Sequence, residues 1–195
     1  MSLLRLKRLM RISLNGFPKN RDGLAAVEFA LIVPLMLLIF FGMVETTNGI
    51  AIDRKVSVTA RTLSDLISQA ATVTDDDIAN SFLASSAILI PYSSEPVEAK
   101  ISQIIIDKDK NAKIVWSKGW SKGAMTTGRA SGPVTLPSKL EALKVPNTYL
   151  IWGEVQYLYL PNVPYLNKEG ILLSDQSFSR PRQSVCVIYK TYKCT

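Results

Sequence analysis

The chain has 195 residues with a net charge of +7, 47% hydrophobic residues, two cysteines and no histidine. Without histidine, the commonest general base and the commonest metal ligand are both missing, so neither an enzyme nor a cofactor protein is expected. The basicity does not indicate nucleic acid either. The first 23 residues carry Arg5, Lys7, Arg8, Arg11, Lys19 and Arg21 against Asp22 alone, a net of +5 that leaves +2 for the rest.

That basic leader is a topology signal, because lysine and arginine clusters beside a membrane span stay in the cytoplasm. Leu3 to Ile12 interleaves Leu6, Leu9 and Met10 with basic residues. This stretch either lies on an anionic lipid surface or is a solvated tail.

The run Leu24 to Val44 is 21 residues of apolar sequence. At about 1.5 Å per helical residue it matches the roughly 30 Å hydrocarbon core of a bilayer. Glu28 sits inside it, and an ionisable group there must find a partner or disrupt the lipid, which makes it a functional candidate. Pro34 removes the hydrogen bond to the Ala30 carbonyl and permits a bend. A secretory signal peptide is disfavoured, since the run exceeds the usual length and Gly42-Met43-Val44-Glu45-Thr46-Thr47 has no Ala-x-Ala pattern. An uncleaved signal anchor is the remaining alternative.

Past the apolar run, Ile52, Val56, Thr59, Leu63, Leu66 and Ala70 recur at steps of four and three, with Asp53, Arg54, Arg61, Asp65 and Gln69 off the stripe. One continuous helix from about Leu24 to Ala70 is predicted, with Gly49 as a candidate bend. Thr74 before Asp75, Asp76 and Asp77 reads as the cap of a second helix whose acids face the positive dipole end, with Phe82, Leu83 and Ile88 as its buried face. The acidic triplet lacks the spacing and glycine of a calcium loop.

From Val97 the period changes to two. Val97 to Ile106 and Ala112 to Trp116 form the arms of a hairpin whose tip is Asp107-Lys108-Asp109-Lys110-Asn111. The tandem Ser117-Lys118-Gly119-Trp120-Ser121-Lys122-Gly123 and the Gly/Ser/Thr-rich stretch up to Pro133 read as loop by composition. Ser117 and Lys118 are badly placed to act as nucleophile and base, because adjacent extended residues point apart. Trp116 and Trp120 are either core or a stacking surface for an adhesive contact. Tyr149 to Leu160 and Val185 to Tyr189 complete about four strands in an antiparallel sheet on which the long helix can lie. The fold class is α+β: a long amino-terminal transmembrane helix with a small antiparallel β-sheet domain.

Cys186 and Cys194, in the region that should be exported, can pair in an oxidising compartment and clip the carboxyl terminus to its strand. The alternative is a small buried hydrophobe and a free tail thiol.

The basic leader, Gly23 and Leu24-Ala25-Ala26-Val27-Glu28-Phe29-Ala30-Leu31 together resemble a type IV prepilin processing site. The run Ala26 to Pro34 more closely resembles the TadE-like pseudopilins of the Flp, or tight-adherence, pilus system. Phe29 stands where related pilins often carry tyrosine, and either ring can pack in a helix array. Phe178-Ser179-Arg180-Pro181-Arg182 before Val-Cys-Val-Ile-Tyr is similar to the carboxyl-terminal signature of the same family.

The resemblance implies cleavage between Gly23 and Leu24 by a prepilin peptidase. Glu28 would then be the fifth mature residue, able to neutralise the amino terminus of a neighbouring subunit in lipid. It further implies three divisions: residues 1–23 a cytoplasmic leader, 24–70 a transmembrane and spine helix, and 71–195 a periplasmic domain. The location would be the bacterial inner membrane, single-pass, or the pilus outside the cell. The partners would be the peptidase, other pilin subunits and the assembly machinery. The competing expectation is a membrane-tethered periplasmic binding module or hydrolase.

Overall fold

The computed structural model describes residues 23–137, 143–161, 169–192 and 194, so the basic leader lies outside the described residues. The chain divides into two compact units at Val44 and Glu45.

The first helix, α1, spans Leu24–Ser68, 45 residues with Pro34 inside, and begins directly after Gly23. At about 1.5 Å per residue it is roughly 70 Å long. Its first half is long and apolar enough to cross a membrane, with a mean hydropathy of 2.6 over the most apolar stretch. Almost every side chain from Leu24 to Val44 is exposed, including Phe29, Leu31, Leu38 and Phe41. Exposed apolar surface on that scale needs a medium other than water.

The second half of α1 buries Ile52, Val56, Thr59, Ala60, Leu63, Ser64, Ile67 and Ser68. This follows the expected stripe as far as Leu63 and then departs from it. The buried row turns to Ile67, while Leu66 is only partly buried and Ala70 lies beyond the helix end. At about 100° per residue Ile67 lies some 40° from Leu63 toward the side held by the buried Ala60 and Ser64, whereas Leu66 lies about 60° the other way.

A two-residue strand, β1 (Thr72–Val73), leads into α2 (Asp75–Ser86). Thr74 caps α2 as the sequence places it. Its hydroxyl accepts from the Asp77 backbone N–H, and the Asp77 carboxylate accepts from the Thr74 backbone N–H. Aspartate thus completes a reciprocal capping box. The buried face of α2 is Ile78, Phe82 and Ser85, followed by Leu89 in a short 3₁₀ turn (Ala87–Leu89). Leu83, expected inside, is 53% exposed, and Ile88 is only partly buried. Ile78 and Phe82 are four apart and share one side, and the next residue after Phe82 points about 100° away.

The main sheet is antiparallel, with order β4-β3-β2-β6-β7 and β5 pairing with β3. Its strands are β2 (Val97–Ile106), β3 (Ala112–Ser121), β4 (Ala124–Thr127), β5 (Gly132–Val134), β6 (Thr148–Tyr159) and β7 (Ile171–Ser179). The sheet therefore has six described strands rather than four. The Ser-Lys-Gly repeat is not a loop. Its first copy continues β3, and only Lys122-Gly123 turns, both at positive φ between the paired Ser121 and Ala124. Two left-handed residues give the primed turn that matches strand twist.

Both β3 tryptophans are core. Trp116 is 2% exposed and Trp120 8%, with Trp120 stacked on Phe82 at 5.5 Å. β7, at one edge of the described sheet, has no fully buried residue, although exposed and partly buried side chains alternate from Leu172 to Ser177. The expected carboxyl-terminal strand shrinks to β8 (Ile188–Tyr189), which pairs parallel with β1 in a separate two-stranded sheet.

One face of the sheet packs on α1. Ile52, Val56, Ala60, Leu63 and Ile67 meet Ile101, Ile151 and Val155 in a single cluster. Gly153 lets the helix approach closely, since a Cβ there would lie 2.9 Å from the Ala60 carbonyl oxygen and 3.2 Å from the Ser64 Cβ. A second cluster, built on Ile104, Ile114, Leu150 and Trp152, fills the other face at one end.

Candidate processing and assembly segment

Gly23 is exposed, and its carbonyl accepts the first helical hydrogen bond of α1, from the Val27 N–H at 3.2 Å. A Cβ at Gly23 would meet nothing within 4 Å, so this fold places no steric demand for glycine there. Leu24 opens the helix at 59% exposure. Glu28 and Phe29 follow on its first turns, both exposed, Phe29 at 69%. No hydrogen bond or ion pair reaches Glu28 from the described residues. The segment thus joins an accessible glycine, a helix that starts immediately after it, and one carboxylate in apolar surface. Among the described residues, then, none supplies a counter-charge to Glu28.

Glu45 is the next acid along α1, and it belongs to the second unit. The Tyr159 hydroxyl, at the end of β6, donates to it. Burial, reinforced by this acceptor, pushes the Tyr159 phenol well above its usual range. One turn on, Gly49 lets the Tyr159 ring come within 4.0 Å of a Cβ built there. Neither Glu45 nor Tyr159 is marked in the sequence, since a lone Glu and a strand tyrosine carry no local signal.

The Phe178-Ser179-Arg180-Pro181-Arg182 segment meets the far end of the same helix. The Ser179 hydroxyl lies 3.1 Å from that of Ser64. The Arg182 backbone N–H donates to the Ser68 carbonyl at 2.9 Å, and its guanidinium pairs with Asp65. A carbonyl that the last turn leaves unpaired thereby finds a donor. Cys186 and Cys194 are joined by a disulfide, with Cα atoms 5.6 Å apart. Between them Val187 is fully buried, donating its N–H to Gln103 Oε1 at 2.7 Å and accepting from Trp116 Nε1 at 3.2 Å.

The acidic triplet divides its work. Asp77 caps α2, while Asp75 accepts from the Tyr189 hydroxyl and pairs with Lys190 at 2.5 Å and Lys118 at 3.6 Å. Hydrogen bonds from Lys190 and then Tyr189 hold the Asp75 carboxyl down at about 2, against a small opposing effect of burial. The same contact holds the Lys190 ammonium above its ordinary range. Lys118 is thus spent on Asp75, whereas the Ser117 hydroxyl bonds to Ser102 at 2.8 Å on the opposite side of β3. Lys55, unmarked in the sequence, donates to the Ile88 and Ile90 carbonyls at 2.8 and 2.7 Å and ties α1 to the turn after α2.

Residues 23–62 match the family described as TadE-like protein. The match begins at Gly23, contains Glu28 and Phe29, and runs into the part of α1 that packs on the sheet. Comparison with curated proteins and with solved structures gives no match.

Proposed function

We propose, from the TadE-like domain that this chain carries, that it is a minor pilin-like subunit of a tight-adherence pilus, cut between Gly23 and Leu24 and used in assembly. The family match supports a pilus-associated role, and the long apolar helix supports a single-pass membrane anchor. On this reading an enzyme acts on the chain and none resides within it. A prepilin peptidase removes the leader, leaving Leu24 as a free amine one helical turn from Glu28. The carboxyl-terminal domain faces away from the cytoplasm, where the surface adherence of the pilus is served.

The observation that carries this reading is Glu28, exposed and without a partner in the described chain, on a helix whose surroundings are apolar. A carboxylate in lipid is costly unless neutralised. The amine created by cleavage on a neighbouring subunit is a counter-charge of the right sign at the right depth.

The test is Glu28→Gln, which keeps size and hydrogen-bonding capacity but removes the charge. Membrane insertion should be unchanged or better, cleavage should persist, and assembly should fail. Pili at normal number in the Glu28→Gln strain, with cleavage intact, would defeat the assignment. Amino-terminal sequencing of the membrane-extracted protein separates it from a tethered binding module or hydrolase. A start at Leu24 supports the pilin-like subunit, and an intact Met1 supports the tether.

A further inference from the structure

Four apolar side chains stand exposed together at one end of the main sheet. Leu158 and Leu160 lie where β6 ends, and Ile171 and Leu172 where β7 begins, with relative exposures of 39, 59, 47 and 61%. The register pairs Leu158 with Leu172 and Tyr159 with Ile171. A Cβ on Gly170 would meet the Leu160 and Leu158 side chains at 2.9 and 3.0 Å, so the cluster is contiguous around that glycine. Leu158, Leu160 and Leu172 share one side of the sheet by alternation, while Ile171 is on the other beside Tyr159. The apolar surface therefore wraps the strand ends, and none of the four carries a charge.

The height of this patch along α1 is set by contacts within the domain. Near its end β6 touches Glu45 and Gly49 through Tyr159, whereas its middle touches Ala60 and Ser64 through Gly153. Strand and helix thus run in opposite directions, and the end of β6 is level with Glu45. Glu45 follows the apolar run Leu24 to Val44 directly in the chain. The patch consequently lies close to the residue that follows the apolar run.

We infer that the end of the sheet formed by Leu158, Leu160, Ile171 and Leu172 is a second lipid-contact surface, resting in the interfacial layer of the membrane that α1 enters. This rests on the reading of Leu24 to Val44 as the membrane span. Lipid is the occupant because the patch adjoins Glu45, the residue at which the span ends. Apolar side chains at that depth are covered by headgroup and upper acyl regions whether or not a protein neighbour is present. The contact would fix the tilt of the domain, since helix and sheet would both be anchored at one level. It would also be surrendered when a subunit leaves the bilayer, which gives the membrane a hold on this chain beyond its helix.

The experiment places an environment-sensitive bimane on one introduced cysteine at a time in the full-length protein, reconstituted in vesicles containing nitroxide-labelled lipid. Cys186 and Cys194 are bonded to each other and remain unlabelled. Leu172→Cys reports the patch and Leu38→Cys the span. Asp109→Cys reports the β2–β3 turn, at the opposite end of the sheet by register. Strong lipid quenching at Leu172 and Leu38, several-fold above that at Asp109, is the expected result. Quenching at Leu38 with none at Leu172 overturns this inference and leaves the membrane span standing. No quenching at either site overturns both. A Leu172 probe that is shielded in proportion to protein density, yet untouched by nitroxide lipid, marks contact between copies and overturns the lipid assignment as well.

Discussion

Gly23 is notable for how little the fold asks of it. No atom of the described chain lies near the place a Cβ would take, so a side chain there should not disturb the domain. The demand for glycine would come from an enzyme that must bring backbone close to its catalytic groups. Gly23→Val should therefore accumulate a precursor about 23 residues heavier on a gel while thermal unfolding of the domain is unchanged; a mature band of normal size in that variant would remove the cleavage assignment. Asp75 is the opposite kind of residue, one whose partners all come from elsewhere in the fold. With its carboxyl held at about 2, against about 3.9 in an unfolded chain, it adds stability that is present above pH ~4 and is lost as pH falls through ~2. The side chain is 44% exposed, so at neutral pH Asp75→Asn should cost no more than about 1 kcal/mol. Between pH 4 and pH 2 the parent protein should lose more stability than the variant. Urea unfolding of detergent-solubilised protein across that range measures the difference, and parallel pH profiles would refute the role.

At the scale of elements, the decisive contact is the crossing of α1 over β6. Gly153 is where the helix backbone comes close, and Ile101 of neighbouring β2 and Val155 of β6 itself share one cluster with Leu63 and Ala60. A larger residue there must push helix backbone, not a flexible side-chain end. Gly153→Val should destabilise by about 1–3 kcal/mol, the usual cost of overpacking, and lower the urea midpoint without altering the slope. A midpoint equal to the parent's would mean the helix is not seated as described. The elements also show which local signals survive folding. Thr74 with Asp77 closes its cap within four residues, and the β2–β3 tip closes on Asp107, whose carboxylate accepts from the Asp109 and Asn111 N–H groups. Interactions so short in sequence are readable from it. In β3 local and tertiary signals oppose each other: glycine, serine and lysine in the repeat signal a loop, while Trp116 and Trp120 on one side hold the segment in the sheet. Burial of two indoles outweighs a weak intrinsic preference.

Across the whole molecule, the carboxyl-terminal segment gathers what the rest of the chain leaves open. It supplies a donor to the end of α1 through Arg182, a partner to β1 through Ile188 and Tyr189, and acceptors or donors to Trp116 and Gln103 through Val187. The disulfide closes a short loop, a separation of eight residues, and in the chain-entropy picture that contributes about 2–3 kcal/mol. Reduction should lower stability by that amount while leaving the fold, because Val187 and Tyr189 stay buried through contacts that do not involve sulfur. Tryptophan fluorescence during urea unfolding, with and without reductant, reports this, and outright loss of the folded signal on reduction would contradict it. By itself the sequence determined the apolar run with its single carboxylate, the continuous helix, the capped second helix and the β2–β3 hairpin. Each of these depends on periodicity or on contacts a few residues apart. Only the tertiary structure decided the β7 strand, the parallel pairing of β8 with β1, the turn of the buried stripe to Ile67, and the partners of Glu45, Lys55, Asp65 and Asp75. Those contacts join residues tens of positions apart or more, and such pairings exist only once the sheet and the spine have come together.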